Sequence, residues 1–302
     1  MTVSETSCEA RRPLLVVALG GNAISPPTGD LSYAGERRAI EQSARELAQL
    51  CALGYRLLVV HGNGPQVGRL LRADFKPTDL DIHVAQTQGE LGYLLGAALE
   101  KASGERTVAL LTRAEVQRGD PAFQEPDKPV GPVVRDRPTG DAVWLPDPGG
   151  WRRVVASPRP RGVPELPVIG QLLADAHVIA GGGGGVPVDD EGAPCQAVVD
   201  KDRLAALLAC ALNAQGLIFG TDVEGAFRDF GSPAAELLRA LTPDQAQRLL
   251  GAGVFGAGSM APKVESAVHF VSATGCSASI TRLGSLIDAL DDRAGTRIVP
   301  EA

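Results

Sequence analysis

Lysine is scarce in this chain of 302 residues. Of its 29 basic side chains only five are lysine, at positions 76, 101, 128, 201 and 263; the others are arginine. Histidine is scarcer still. Of the four, His83, His177 and His269 show no metal-ligand spacing and read as structural, while His61 ends an apolar run beside a glycine turn, where a ligand contact and a structural role are both open. The five cysteines, Cys8, Cys51, Cys195, Cys210 and Cys276, are scattered and form no CxxC pair, a pattern of idle reduced thiols that points to a cytoplasmic location. No stretch reaches the about 18 consecutive apolar residues of a transmembrane helix. The opening MTVSETSCEARRP has no apolar core of a signal peptide, and residues 1–12 are expected to be a disordered tail. There is no long cationic stripe and the net charge is −7, so neither nucleic acid nor membrane is expected as a partner. No Gly-Lys dipeptide occurs, which removes the P-loop class of nucleotide enzymes. Asp229-Phe230-Gly231 imitates a protein-kinase triplet, but no HRD catalytic loop precedes it.

What the chain does have is a recurring unit. LLVVALGG (14–21), YRLLVVHGNG (55–64), TVALLT (107–112), HVIAGGGGG (177–185) and GLIFGTD (216–222) are short apolar runs, most of them ending in glycine. Unalternating runs of this length predict strands buried on both faces of a parallel sheet. Ile40, Ala44, Leu47, Ala48 and Cys51 lie at helical spacing and predict a helix over 35–53, stopped by Gly54. Further helices are expected near 83–101, 164–175 and 201–214. Strands alternating with helices imply an α/β fold with a mostly parallel sheet and helices on both faces. Ligands of such folds collect beyond the carboxyl ends of the strands, where the glycine clusters fall. Residues 118–163 break the pattern. They are dense in proline and glycine, yet they spend Phe123, Trp144 and Trp151, which a linker would not, so a small protruding lid subdomain is expected there.

Three glycine turns stand out: Gly20-Gly21-Asn22, Gly62-Asn63-Gly64, and Gly181 to Gly185. Without a Cβ in the way, backbone N–H groups can approach an anion and form a nest. Asn22 and Asn63 add side-chain donors. Three of the five lysines also sit at glycine- or proline-marked turns. Lys128 lies in EPDKPVGP, Lys201 in VVDKD at a helix start, and Lys263 follows Pro262 in GAGSMAPKVE. An ammonium is a compact point charge with three rotatable donors, able to follow a phosphoryl group as it moves, whereas a guanidinium fork fixes one geometry. The combination suggests electrostatic stabilisation of phosphoryl transfer. Asp200 and Asp202 would hold the ammonium groups in place, or help coordinate a cation; a plain N-cap role for Asp200 is the alternative.

These segments resemble the carbamate kinases of the amino-acid kinase superfamily. ALGGNA (18–23), VVHGNGPQVG (59–68), TQGELGY (87–93), DKPVGP (127–132), GWRRVVASPRP (150–160), VIAGGGGGVPV (178–188), AVVDKD (197–202), TDVEGAF (221–227) and GAGSMAPKVE (256–265) occur in the family's order. The resemblance implies a three-layer αβα sandwich over residues 13–302 with the lid inserted at 118–163. It also implies a homodimer, ATP/ADP with Mg²⁺, and interconversion of ATP plus carbamate with ADP plus carbamoyl phosphate, in arginine metabolism. By motif, Lys128, Lys201, Asp202 and Lys263 would be catalytic. Gly20, Gly21 and Asn22 would touch the phosphoryl group, and Gly62 and Asn63 the carbamate. Gly182, Gly183, Thr221, Asp222, Val223, Ser259 and Met260 would contact the nucleotide, and no metal ligand is expected from the protein. Three positions depart from the family pattern: Asp127, Glu90 and Gly220. Asp127 could neutralise Lys128, and Glu90 could alter the acceptor pocket. A kinase for another small acid, or a catalytically weak nucleotide-binding relative, therefore remains open at this level.

Overall fold

In the computed structural model, residues 12–25, 32–73, 80–140, 142–255 and 259–301 are described. The expected tail lies outside them except for Arg12, as do Lys76 and the glycines at 256 and 258. Eight helices are present in this set: α1 (Tyr33–Ala52), α2 (Gly64–Ala73), α3 (Leu80–Ser103), α4 (Leu166–Leu172), α5 (Lys201–Ala211), α6 (Pro243–Gly251), α7 (Met260–Thr274) and α8 (Leu286–Leu290).

The main sheet has eight strands. From one edge they run Ala240–Leu241, Thr296–Ile298, Ala278–Arg282, Gly216–Thr221, Leu14–Leu19, Arg56–His61, His177–Ile179 and Thr107–Ala109. Every neighbouring pair is parallel except Ala278–Arg282 with Thr296–Ile298. The central strand shows why its sequence is apolar throughout. Val16 and Ala18 point into a core shared with Phe219, Leu204 and Leu208, while Leu15, Val17 and Leu19 point into a second core with Ile40, Leu47 and Leu95. The period-two alternation of a strand therefore feeds two hydrophobic layers, one under α5 and α7, the other under α1 and α3. This is the three-layer αβα arrangement.

Local signals set the helix ends. Ser32 caps α1 by accepting the Gly35 N–H at 3.1 Å, and Gly54, at φ +92°, ends it as the left-handed residue a side chain would resist. A capping box of Thr242 and Gln245 opens α6. The Gly62-Asn63-Gly64 stretch differs from expectation at one end: the strand stops at His61, and Gly64 is already the first residue of α2.

Within residues 118–163 three antiparallel strands, Lys128–Val134, Gly150–Val155 and Val143–Asp147, form a separate small sheet. It rests on α2 and the start of α3 through a third apolar cluster, Val130 and Val155 against Val67 and Leu80. Arg113–Val116, just before this excursion, pairs with Pro160–Gly162 at its end and with Val186–Val188, in a further three-stranded sheet.

Candidate active site

The carboxyl ends of the central strands open into a cleft of about 550 Å³. The strand Leu14–Leu19 delivers Gly20 and Gly21, Arg56–His61 delivers Gly62 and Asn63, and Gly216–Thr221 delivers Thr221 and Asp222. The small sheet closes the other side with Lys128, Val130 and Arg152.

The three turn-borne lysines converge here. Lys201 is the first residue of α5 and Lys263 lies in the first turn of α7, and both line the cleft. A single carboxylate joins them. Asp202 accepts from Lys201 Nζ at 2.5 Å on one oxygen and from Lys263 Nζ at 3.0 Å on the other. The Lys263 and Asp202 side chains are 4% exposed and Lys201 is 13% exposed. Burial draws the Lys201 ammonium below its ordinary pKa; Asp202 opposes that fall and Lys263 adds to it. Packing supplies a steric reason for lysine at 201. A Cβ on Gly62 would stand 3.5 Å from Lys201 Cε and 3.3 Å from the Gly21 nitrogen, so the lysine stem packs closely on the Gly62 turn. A guanidinium plane would have to fit beyond the same contact.

Lys128 reaches in from the small sheet and donates to Asp200 at 2.7 Å, so its partner is Asp200 and not the adjacent Asp127. Asp200 also caps α5 by accepting the Asp202 N–H at 2.9 Å, so it pairs with a lysine and caps the helix at once. Burial alone would raise the Asp200 pKa, but Lys128 and Lys201 outweigh it and hold the carboxyl well below the usual carboxylate range.

The Gly20-Gly21 turn spends one of its donors on the fold. The Gly20 N–H goes to the Gly220 carbonyl at 2.9 Å, which leaves Gly21 as the glycine whose amide fronts Gly62. The side chain of Asn22 lies outside the described residues. Asn63 is buried and braced, its Nδ2 donating to Thr87 Oγ1 of α3 at 2.9 Å. Gly183, at φ +65°, lies against it: a Cβ there would fall 2.1 Å from Asn63 Nδ2. Gly182 is turned away from the cleft and packs on His61 and Gln88. His61 is buried and held neutral, its pKa pushed down to about 4 chiefly by burial, with Lys201 contributing.

Thr221, Asp222 and Ser259 line the cleft, whereas Val223 and Met260 do not; Met260 packs beside the core of α5 and α7. Three features escaped the sequence reading. Arg152 lines the cleft from the small sheet, and its Nε has no hydrogen-bond partner among the described residues. Glu265 forms a junction: one oxygen takes the Arg203 guanidinium of α5 at 3.0 and 3.2 Å, the other pairs with Arg159 in the connection returning from the small sheet. The third is Gln66, buried behind the cleft wall. The repeated Arg-Arg of GWRRVV was a visible signal for the first; the other two had none beyond motif membership. Of the departures, Glu90 does not line the cleft but pairs with Arg69 at 2.8 Å, and a side chain at Gly220 would meet Leu283, Leu19 and Leu286 at 3.1 to 3.6 Å.

Residues 13–282 match the family model described as the amino acid kinase family. The chain is 40% identical to a carbamate kinase of Halobacterium salinarum and 40% identical to one of Escherichia coli K12, in each case over 94% of this chain and 98% of the relative. Its fold matches the solved carbamate kinase of Giardia lamblia bound to AMP-PNP with a TM-score of 0.87 and 33% identity, over 96% of this chain and 99% of that one. Strand order, the lysine-bearing helix starts and this full-length likeness agree: the chain is a kinase that belongs to the amino acid kinase family and, within it, to the carbamate kinases.

Proposed function

We propose that this chain moves a phosphoryl group between ATP and carbamate, forming or consuming carbamoyl phosphate. The observation that carries the reading is the Asp202 carboxylate bridging Lys201 and Lys263 inside a glycine-walled cleft. Two of the most similar relatives are named carbamate kinases, and the Giardia enzyme holds an ATP analogue.

The nucleotide would lie along Thr221, Asp222, Gly183 and Ser259, with its terminal phosphate toward Gly21. Carbamate would sit at Gly62 and Asn63, in line with that phosphate. The transferred group carries negative charge on its three equatorial oxygens, and catalysis of such transfer is mainly positioning and charge stabilisation. Lys201 and Lys263 meet that charge from two helices, and Asp202 holds both ammonium groups in place. Carbamate is already an anion, so no general base is needed, and the neutral, buried His61 is not asked to be one. Lys128 and Arg152 would cover the reacting groups from the small sheet, which acts as the lid over 118–163.

Magnesium, expected with the nucleotide, finds no cage of three ligating side chains among the described residues, and Asp200 and Asp202 are already engaged by lysines. An ion held by nucleotide phosphates and waters suits this donor set, and the protein's own groups carry the steps above. Glu90, pointing to Arg69 and not into the cleft, leaves the acceptor end as the family has it and favours carbamate over another small acid. A homodimer, a cytoplasmic location and a place in arginine metabolism complete the proposal; no helix among the described residues is long and apolar enough to cross a membrane. The test is ATP formation from carbamoyl phosphate and ADP by the purified protein. Absence of ATP above a Lys201→Ala control would refute it.

A further inference from the structure

The acceptor side and the phosphoryl side of the cleft belong to different elements. Gly20 and Gly21 lie in the turn before α1, which continues to Ser25, and Gly62 to Gly68 lead into and begin α2. At the front the two meet only by contact: a Cβ on Gly21 would lie 3.7 Å from Pro65 Cδ. Behind that contact sits Gln66. Its neighbours Pro65 and Val67 line the cleft, while Gln66 itself is fully buried. Its amide nitrogen uses both hydrogens, one to Ser25 Oγ at 3.0 Å and one to Glu36 Oε1 of α1 at 3.0 Å. Ser25 in turn donates its N–H to the Gly21 carbonyl at 3.0 Å, and Val67 donates to the Asn63 carbonyl at 2.9 Å. One side-chain amide therefore links the turn that presents Gly21 to the turn that presents Asn63.

Glu36 is also fully buried, and Arg69 of α2 reaches the same oxygen at 2.9 Å while its other nitrogen takes Glu90 of α3. The set is not arranged for maximal stability. Among the described residues, Glu36 Oε2 and Gln66 Oε1 are buried with no hydrogen-bond partner, and buried acceptors left unpaired cost free energy. The amide orientation is fixed by chemistry, since the reverse would set its oxygen against the Glu36 carboxylate.

We infer that Gln66 is a positioning residue for phosphoryl transfer: its two hydrogen bonds, to Ser25 and Glu36, set the separation between the phosphoryl-side turn at Gly21 and the acceptor turn at Gly62-Asn63. The inference rests on the proposed reaction for its catalytic readout. A misplacement of reacting groups by about 1 Å costs on the order of a hundredfold in rate, so Gln66→Met, which keeps volume and removes both bonds, lowers kcat about ten- to hundredfold. KM for ADP stays within about threefold, because the nucleotide's contacts lie elsewhere. Ser25→Ala, a milder change, lowers kcat in the same sense. The exchange Glu36→Gln with Gln66→Glu rebuilds an acid–amide pair, with Ser25 now donating, and recovers most of the lost kcat.

An unchanged kcat in Gln66→Met, or a folded exchange variant no better than Gln66→Met, overturns the inference. The strap is also read without turnover. In Gln66→Met, amide hydrogen exchange quickens about tenfold or more at residues 21–25, 64 and 66–68 while the main sheet is unaffected. Exchange unchanged at those residues overturns the strap. If the wild-type protein makes no ATP from carbamoyl phosphate, the proposed function fails, and the exchange measurement still decides the role of Gln66.

Discussion

Replacing Asp202 with asparagine separates what the lysine pair does from what holds it together. In the wild-type protein one carboxylate accepts from two ammonium groups at 2.5 and 3.0 Å, all three groups nearly buried. Two ammonium nitrogens sharing one carboxylate stand ~5–7 Å apart, where their mutual repulsion at an effective dielectric of about 20 is ~2–3 kcal/mol. Asparagine removes the compensating charge and leaves that repulsion in place. Breaking a buried ion pair by removing one partner costs about 3–5 kcal/mol, so Asp202→Asn is destabilised by that order in the absence of ligand, seen as a lower midpoint in denaturant. An entering phosphate restores the missing negative charge. Inorganic phosphate or ATP therefore raises the melting temperature of Asp202→Asn by more than it raises that of the wild type. Turnover behaves oppositely: with neither lysine held in register, kcat falls about a hundredfold or more, since about 1.4 kcal/mol of lost transition-state stabilisation is a factor of ten. The paired measurement is thermal melting against phosphate concentration beside ATP formation from carbamoyl phosphate. An Asp202→Asn protein with wild-type stability and a wild-type phosphate response would refute the argument, because it would mean the carboxylate neutralises nothing that matters.

Lys201→Arg keeps the charge but not the close packing of the stem on Gly62; its kcat is expected to fall about a hundredfold, and a variant within threefold of wild type in a coupled ATP assay would remove the steric argument. Gly183→Ala places a methyl on the Asn63 amide at a left-handed backbone position; the strain alone is about 1–2 kcal/mol, and the expected result is a weakened acceptor, read as a raised KM for carbamoyl phosphate, with loss in melting temperature. His61 and His177 are both held neutral with pKa pushed down to about 4, from about 6.5 when unfolded. A depressed folded pKa means stability is full above the unfolded value and drains as pH falls from about 6.5 to 4, because the unfolded chain takes up the proton first. For the buried His61 the loss across that window is about 3 kcal/mol, since a tenfold difference in proton affinity between folded and unfolded chain is worth about 1.4 kcal/mol. Urea midpoints measured from pH 7 to pH 4.5 should fall in the wild type and fall less steeply in His61→Gln; parallel curves would show that His61 is not responsible.

Five of the eight strands were legible because they are apolar runs, most of them ending at glycine; Ala240–Leu241, Ala278–Arg282 and Thr296–Ile298, at one side of the sheet, were not read. LLVVAL and RLLVVH cannot be amphipathic surface elements, and the glycines after them mark where the chain must turn at a ligand-facing edge. The lysines were legible because they are few and sit at turns. What stayed hidden has a physical reason in each case. The start of α2 at Gly64 was masked by Gly-Asn-Gly-Pro, which reads as a loop; the proline is acceptable in the first turn of a helix, where its missing N–H costs nothing. Val223 and Met260 neighbour cleft residues in sequence, but Met260 packs beside the core and neither side chain lines the cleft. Gly182 belongs to a run of five glycines, and only the three-dimensional course of that turn separates the residue facing Asn63 from the one packed under His61. The partnership of Gln66 with Ser25 and Glu36 spans three elements, and no local pattern reports it.

The pairing of Lys128 with Asp200 bears on how ligand enters. A cleft in which Asp200 matches Lys128, and one Asp202 carboxylate is shared by Lys201 and Lys263, has its positive field partly cancelled before ligand arrives. An arriving polyanion exchanges counter-ions: it takes over ammonium groups that aspartates release, and gains only the difference. Association should then depend weakly on ionic strength, and capture should be selective for molecules shaped to make the whole exchange at once.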